Sequence, residues 1–369
     1  MKHALSSKQI VFRTDSSVAI GTGHVMRCLT FAVGLAEQGA QVQFLCRAHD
    51  GNLIDFIESR GFLVHSLSAT SGSDRSLRSK NGPAHAAWLG CDWQTDAQYC
   101  RAILSGSVDW IIVDHYALDH RWESSMRDKC NHIMCIDDLA DRSHDCDVLL
   151  DQNLGRTAND YRDFVNTDTR LLLGPQYALL RPEFFHWRNI SLARRQLPEL
   201  RHILVTLGGI DRYNVTGRVL KTLAQCRLTT LEQITVVLGS RAPWRTEVTA
   251  LAADMQVTTT VLSDVQNMAE LMTSSDLVIG AGGTTTWERC ALGVPTIQLD
   301  LAPNQKFICQ QVKLYGAIIL CGVADLECEL QNVLQIVSDP SCMKQLSMIA
   351  STITDGRGMQ ETLQVIKEL

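Results

Sequence analysis

A chain of 369 residues has room for two domains, and a content of 45% hydrophobic and 20% charged residues is ordinary for a globular protein. Its formal net charge of -6 excludes a global basic footprint for nucleic acid, and no apolar run approaches the length of a membrane span. The N-terminal Met-Lys-His-Ala-Leu-Ser-Ser-Lys-Gln lacks a signal-peptide core, and the 13 cysteines are odd in number, scattered and without a C-x-x-C pair; reduced thiols in a cytoplasmic protein are expected.

The first patterned stretch, Phe12 to Ala32, reads as a strand, a turn carrying Gly21 and Gly23, and a helix with His24 at its start. Val25, Leu29, Ala32, Val33 and Ala36 recur at helical spacing, and Gly39 supplies a stop. Val42–Cys46 is a second strand, Asn52–Gly61 a short helix and Phe62–Ser66 a third strand. Residues 67–85 are polar and rich in Ser and Gly, which predicts a surface loop. A helix over Asp96–Ser105 and strands over Asp109–Asp114, His132–Asp137, Val148–Asn153 and Arg170–Gly174 complete a first series. The basic stretch Arg188–Arg201, with Pro198, reads as a linker. The second series has strands at Ile203–Leu207, Ile234–Gly239, Thr258–Leu262, Leu277–Gly280 and Pro295–Leu299. Helices are predicted at Tyr213–Cys226, at Asn267–Ser274 and around Trp287, Glu288 and Arg289, and residues 340–369 read as helical to the end. Such alternation predicts two parallel α/β domains, over residues 1–190 and 191–369, with the last helix packing back on the first.

One device occurs three times: a strand, a glycine turn and a helix, at residues 21–23, 208–209 and 282–283. Glycine lets backbone approach a ligand closely, and a helix N-terminus favours an anion. Gly282, Gly283, Thr284 and Thr285 form the better phosphate cradle, with Glu288 one turn further on to accept both hydroxyls of a ribose. His24, at the first turn, is the general-base candidate, and the helix start is expected to keep its ring neutral. In an open parallel sheet ligands gather beyond the C-terminal strand ends, where Asp114, His115, Tyr116, Asp137 and Asp138 fall. The run Asp141 to Asp147 is dense in metal-ligand types but has no second pair at zinc spacing, so no metal and no cofactor are expected.

Phe12-Arg-Thr-Asp-Ser-Ser followed by Ile20-Gly-Thr-Gly-His-Val-Met-Arg-Cys-Leu29 closely resembles the opening motif of the UDP-sugar hydrolases of bacterial pseudaminic acid synthesis. The resemblance continues through Trp88-Leu-Gly90, Val113-Asp-His-Tyr116, Ile136 to Arg142, Leu150-Asp-Gln-Asn153, Leu207-Gly-Gly209, Ile279 to Cys290 and Asn304-Gln305. More distantly the layout is similar to glycosyltransferase-B enzymes. This implies two Rossmann-like domains facing across a cleft, with the nucleotide held mainly by the C-terminal one. It implies that His24 activates water for attack at the anomeric carbon of a UDP-linked 2,4-diacetamido-2,4,6-trideoxyhexose, with UDP leaving. It also implies that Gly282, Gly283, Thr284 and Thr285 hold the diphosphate, Glu288 the ribose, and that Asn304 binds substrate. The expected partner is the UDP-sugar alone, bound to a monomer. Ile210 departs from the small polar residue usual after the double glycine, which leaves open whether Gly208-Gly209 touches ligand.

Overall fold

The computed structural model describes residues 5–68, 82–302 and 305–369. Residues 69–81 of the expected surface loop lie outside these. Two compact units divide the chain: Met1–Leu179 with Met359–Leu369, and Leu180–Gly358.

The first unit runs β1 (Gln9–Thr14), α1 (Gly23–Glu37), β2 (Gln41–Arg47), α2 (Ile54–Ser59), β3 (Leu63–Leu67), α3 (Trp93–Ile103), β4 (Val108–Asp114), α4 (His120–Met126), β5 (Cys130–Ile136), β6 (Val148–Asp151), α5 (Ala158–Tyr161) and β7 (Arg170–Leu173). Its sheet is parallel, in the order β3-β2-β1-β4-β5-β6-β7. The order reverses between β1 and β4, where Thr14 lies opposite Asp114. Both faces are covered. Ile10 and Phe12 point to one core, where Phe12 stacks on Phe44 at 5.0 Å, while Val11 joins Ile111 and Trp122 on the other face. On α1 the buried stripe is Val25, Cys28, Leu29, Phe31, Ala32 and Leu35. Val33 and Ala36, expected on that stripe, are exposed instead: Val33 falls at the edge of the stripe, and Ala36 lies on it but in the last turn of the helix. Gly39, at φ +92°, ends the helix in the left-handed conformation glycine tolerates.

The second unit contains α6 (Pro182–Arg194), β8 (His202–Thr206), α7 (Val215–Gln225), β9 (Gln233–Leu238), α8 (Arg245–Ala253), β10 (Thr258–Ser263), α9 (Met268–Ser274), β11 (Leu277–Ala281), α10 (Thr285–Ala291), β12 (Thr296–Leu299), α11 (Lys306–Leu314), β13 (Ile319–Cys321), α12 (Leu326–Val337) and α13 (Pro340–Ser351). Its parallel sheet is ordered β10-β9-β8-β11-β12-β13, with the reversal between β8 and β11.

The first half of the stretch read as a linker is the end of α6. Pro182 suits a first helical turn, and two of the arginines, Arg188 and Arg195, find backbone acceptors rather than water. Arg188 donates to the carbonyls of Ser351 and Ala291, which end α13 and α10; Arg195 donates to those of Met272 and Ser275 near the end of α9. The division of the chain falls between Leu179 and Leu180, ahead of this helix. The final helical stretch is likewise two helices, broken near Gly356 (φ +85°) before α14 (Gly358–Glu368).

Residues of α14 from Met359 onward belong to the first unit, where Met359, Leu363, Val365 and Ile366 are buried with the α1 core. Gly34 admits them: a Cβ there would stand 2.9 Å from Met359 Sδ. Truncating one of these side chains leaves a cavity that the packed helix pair cannot close. Leu363→Ala is expected to lower the unfolding free energy by about 2–5 kcal/mol, seen as a lower urea midpoint.

Candidate active site

The site of the first unit is built on the turn between β1 and α1. Asp15 leaves the strand end and is locked at once. Arg13 pairs with it at 2.6 Å, and the Arg47 amide donates to it at 2.7 Å. Ser17 Oγ accepts from the amides of Ala19 and Ile20, and the Gly21 amide donates to the Ser17 carbonyl. Gly21 has φ +83°, which a side chain would strain, and a Cβ at Gly21 or Gly23 would meet nothing within 4 Å. The space over the turn is therefore open. No side chain caps α1 and no acid stands in its first turn, so its positive end faces that space.

His24 lies at this helix start, buried at 8% exposure, with Nδ1 2.6 Å from Asp114 Oδ1. Burial alone would raise the Asp114 pKa, but Arg27 and His24 together hold it far below the usual carboxylate range. An ionised carboxylate can only accept, so Nδ1 carries a proton, and in the neutral ring the lone pair is then on Nε2. Nε2 has no hydrogen-bond partner among the described residues. Arg27 completes the arrangement, donating Nε to Asp114 Oδ2 at 2.6 Å, Nη2 to Oδ1 at 2.7 Å and Nη1 to Asp138 at 2.7 Å. Tyr116 donates its hydroxyl to the same Asp138 oxygen, and its ring meets that of His24 edge-on at 4.4 Å.

His115 is turned to another task. Its Nδ1 accepts from the Ala117 amide and its Nε2 lies 3.1 Å from Asp15. The ring is held within the Arg13, Asp15, Asp96 and Arg47 charge network that braces the turn. The acids of Asp141–Asp147 disperse as well. Asp145 and Asp147 pair with Arg127, and His144 bonds Glu123 at 2.8 Å. Glu123, Cys135 and His144 are close enough to hold an ion, yet Glu123 already accepts from the His144 ring, the Cys135 thiol and the Asp145 amide.

In the second unit the two glycine turns differ in what occupies the following helix. After β8, Asp211 folds back so that its carboxylate accepts from the Val215 and Thr216 amides, filling the start of α7. The Gly209 carbonyl is taken by the Gly239 amide. After β11, no side chain caps α10. Gly282 is required by packing, since a Cβ would stand 2.6 Å from Cys309 Sγ, whereas Gly283 supplies φ +126° and faces open space. Beneath this turn Arg289 is buried without a carboxylate, donating to Ala281, Gln298, Thr285 and Thr286; burial lowers its pKa to about 10. Glu288 is half-buried and makes no hydrogen bond or ion pair among the described residues, and burial raises its pKa. Asn304 lies outside the described residues.

Residues 202–312 match the C-terminal domain of glycosyltransferase family 28. Over 272 residues the chain is 25% identical to UDP-2,4-diacetamido-2,4,6-trideoxy-beta-L-altropyranose hydrolase of Campylobacter jejuni, covering 73% of this chain and 84% of that one. It is 26% identical over 295 residues to an uncharacterized protein of Methanocaldococcus jannaschii, and 26% over 211 residues to the spore coat polysaccharide biosynthesis protein SpsG of Bacillus subtilis. The alignments span 55% of the archaeal protein's length and 61% of SpsG's, and cover 79% and 56% of this chain. Among solved structures, MurG of Acinetobacter baumannii is similar over 98% of this chain and 100% of its own, with a TM-score of 0.68 at 16% identity. The spinosyn rhamnosyltransferase SpnG is similar at a TM-score of 0.59 and 15% identity, over 96% and 99%. The fold is that of the glycosyltransferase-B structures: two parallel-sheet α/β domains.

The sequence reading did not single out Arg27. Its signal was its place three residues after His24, on the same helix face. A second feature without a local signal lies at the ends of β5 and β6. The Tyr161 hydroxyl stands 2.9 Å from Asp137 and 2.8 Å from Asp151. One hydroxyl proton serves one acceptor, so the second contact needs a proton on an acid. Asp151 is that acid, since burial, followed by Asp138 and Asp137, raises its pKa to about 7. A pKa raised on folding means that its contribution to stability is full below about pH 4 and is lost as pH rises through about 7. Asp151→Asn, which keeps the shape and cannot ionise, is therefore expected to gain stability relative to wild type as pH rises from 4 to 8. Parallel melts at both ends of that range check it; an equal offset at all pH values contradicts it.

Proposed function

We propose that this protein hydrolyses a UDP-linked 2,4-diacetamido-2,4,6-trideoxyhexose at the anomeric carbon, releasing UDP and the free sugar. The observation that carries the reading is the Asp114–His24 pair, with Nδ1 fixed as donor and Nε2 open beside an uncapped helix start. Nε2 takes a proton from water as its oxygen bonds to the anomeric carbon, and the bond from that carbon to the phosphate oxygen breaks. Asp114 stays ionised and stabilises the imidazolium that forms. The nucleotide is assigned to the second unit. There the Gly282–Thr285 turn offers amides and hydroxyls, Arg289 lies beneath as a cation without a carboxylate, and Glu288 is free to take the ribose hydroxyls. Gly208-Gly209 is left out, because Asp211 fills that helix start. The similarity to a relative named as a hydrolase of such a sugar nucleotide supports the choice of substrate.

A second reading, transfer to an acceptor alcohol, is favoured by the family 28 match over residues 202–312. Phosphorus NMR of the protein with the UDP-diacetamido sugar separates the two. Release of UDP without acceptor is expected; strict dependence on an acceptor favours transfer, and binding without turnover removes catalysis altogether. His24→Ala is expected to lose about 10³-fold or more in kcat. Asp114→Asn, which disturbs the tautomer, should lose about 10²–10⁴-fold with UDP affinity unchanged. Glu288→Ala should instead weaken UDP about tenfold. Full turnover by a folded His24→Ala protein would sink the mechanism.

A further inference from the structure

The chain from Pro83 to Gly90 brings the Trp88 ring to His24 and the His85 ring to Trp88 and Tyr116, and the catalytic pair uses neither. A short 3-10 turn, Ala86–Leu89, is closed by Gly90 at φ +77° and anchored by Leu89, which is buried in the core. Trp88, next to the anchor, stays half-exposed. Its ring lies nearly parallel to Tyr116, at 5.8 Å and 24°, and 6.5 Å from the His24 ring. His85, also half-exposed, stands 4.3 Å from Trp88 and 5.5 Å from Tyr116. Neither the Trp88 indole N–H nor the His85 ring nitrogens have a hydrogen-bond partner among the described residues. Trp88 also packs in part against that core, but an indole that served packing alone would be buried as the Leu89 side chain is, with its N–H satisfied.

We propose that Trp88 and His85 form the sugar-binding wall of the site, recognising a pyranose through its apolar C–H face and an acetamido substituent through their free N–H groups. With the Trp88 ring 6.5 Å from that of His24, a carbon attacked by water on His24 would bring the sugar, and not the nucleotide, beside these rings. Ring C–H groups carry partial positive charge and are drawn to an aromatic face. The attraction grows when positive charge develops on the sugar in the transition state. Burial, with Arg142 and His24 nearby, outweighs Asp141 and holds the His85 pKa below its ordinary value, which keeps that ring neutral beside such a sugar. This inference rests on the hydrolase reading for the identity of the sugar and for placing its anomeric carbon at His24.

Calorimetry tests it in a His24→Ala background, where substrate stays intact, with UDP and the UDP-diacetamido sugar as separate ligands. Trp88→Ala is expected to weaken the UDP-sugar about tenfold, or about 1.4 kcal/mol, with UDP changed less than twofold. Trp88→Phe should recover most of that loss, and His85→Ala should weaken the UDP-sugar about threefold. Unchanged UDP-sugar affinity in both alanine variants overturns the proposal, as does an equal loss for UDP and UDP-sugar. Because binding is read without turnover, a wild type that fails to hydrolyse would sink the proposed function and leave this result standing or falling by itself.

Discussion

The Asp114 carboxylate is the constraint on which the first unit's site depends. It ends a central strand, is fully buried and receives His24, two N–H groups of Arg27 and the Cys28 thiol. A buried carboxylate is tolerable only when it is paired and hydrogen-bonded. All of its partners come from the first turns of α1, so satisfying one charge fixes how that helix starts over the sheet. The glycine turn has to span the gap from Thr14, which lies opposite Asp114 in the sheet, to a helix whose position is already set. The direction of His24 Nε2 follows from that single pairing. Arg27 extends the lock to Asp138 at the end of β5, and through it to Tyr116.

The three strand–glycine–helix turns show how one acid changes what the same device does. At β8 the Asp211 carboxylate occupies the amides that an anionic ligand would use. At β1 and β11 the helix starts have no such cap. Turn geometry alone does not make an anion site; vacant donors do. In α10 the vacancy is reinforced from below. Arg289 sits so tightly under the strand that a Cβ at Gly280 would stand 2.7 Å from its guanidinium. Its neighbours are carbonyl, amide and hydroxyl oxygens, so among the described residues no carboxylate neutralises its charge.

The alternation of strands and helices was legible from periodicity, and so was the importance of the strand ends, because a parallel sheet places its loops there. His24 and Asp114 were each visible as candidates, but their pairing spans 90 residues and has no local signature. Arg27 and Asp138 are 111 residues apart and were invisible as a pair for the same reason. The basic segment after Arg188 misled because charge suggests solvent, and its acceptors are the carbonyls ending α9, α10 and α13, far along the chain. Asp211 was not singled out either, although an acid shortly before an apolar helix pattern is a signal that sequence does carry.

Charge at the strand ends of the first unit is nearly, but not wholly, matched. Arg13 and Arg47 meet Asp15 and Asp96, Arg27 meets Asp114 and Asp138, and Arg142 meets Asp137. Arg156 reaches Asp151, but its Nη2 is drawn to the carbonyls of Asp138 and Leu139. Burial, with Asp138 and Asp137 near, still raises the Asp151 pKa to about 7 despite this cation, so Asp151 keeps a proton more readily than its neighbours. The shared Tyr161 hydroxyl holds the proton where it is needed, between two acids that cannot both be charged at low cost. The same low dielectric that makes the Asp114 charge depend on His24 and Arg27 also makes Asp151, beside two other acids, the carboxyl whose proton is least costly to keep.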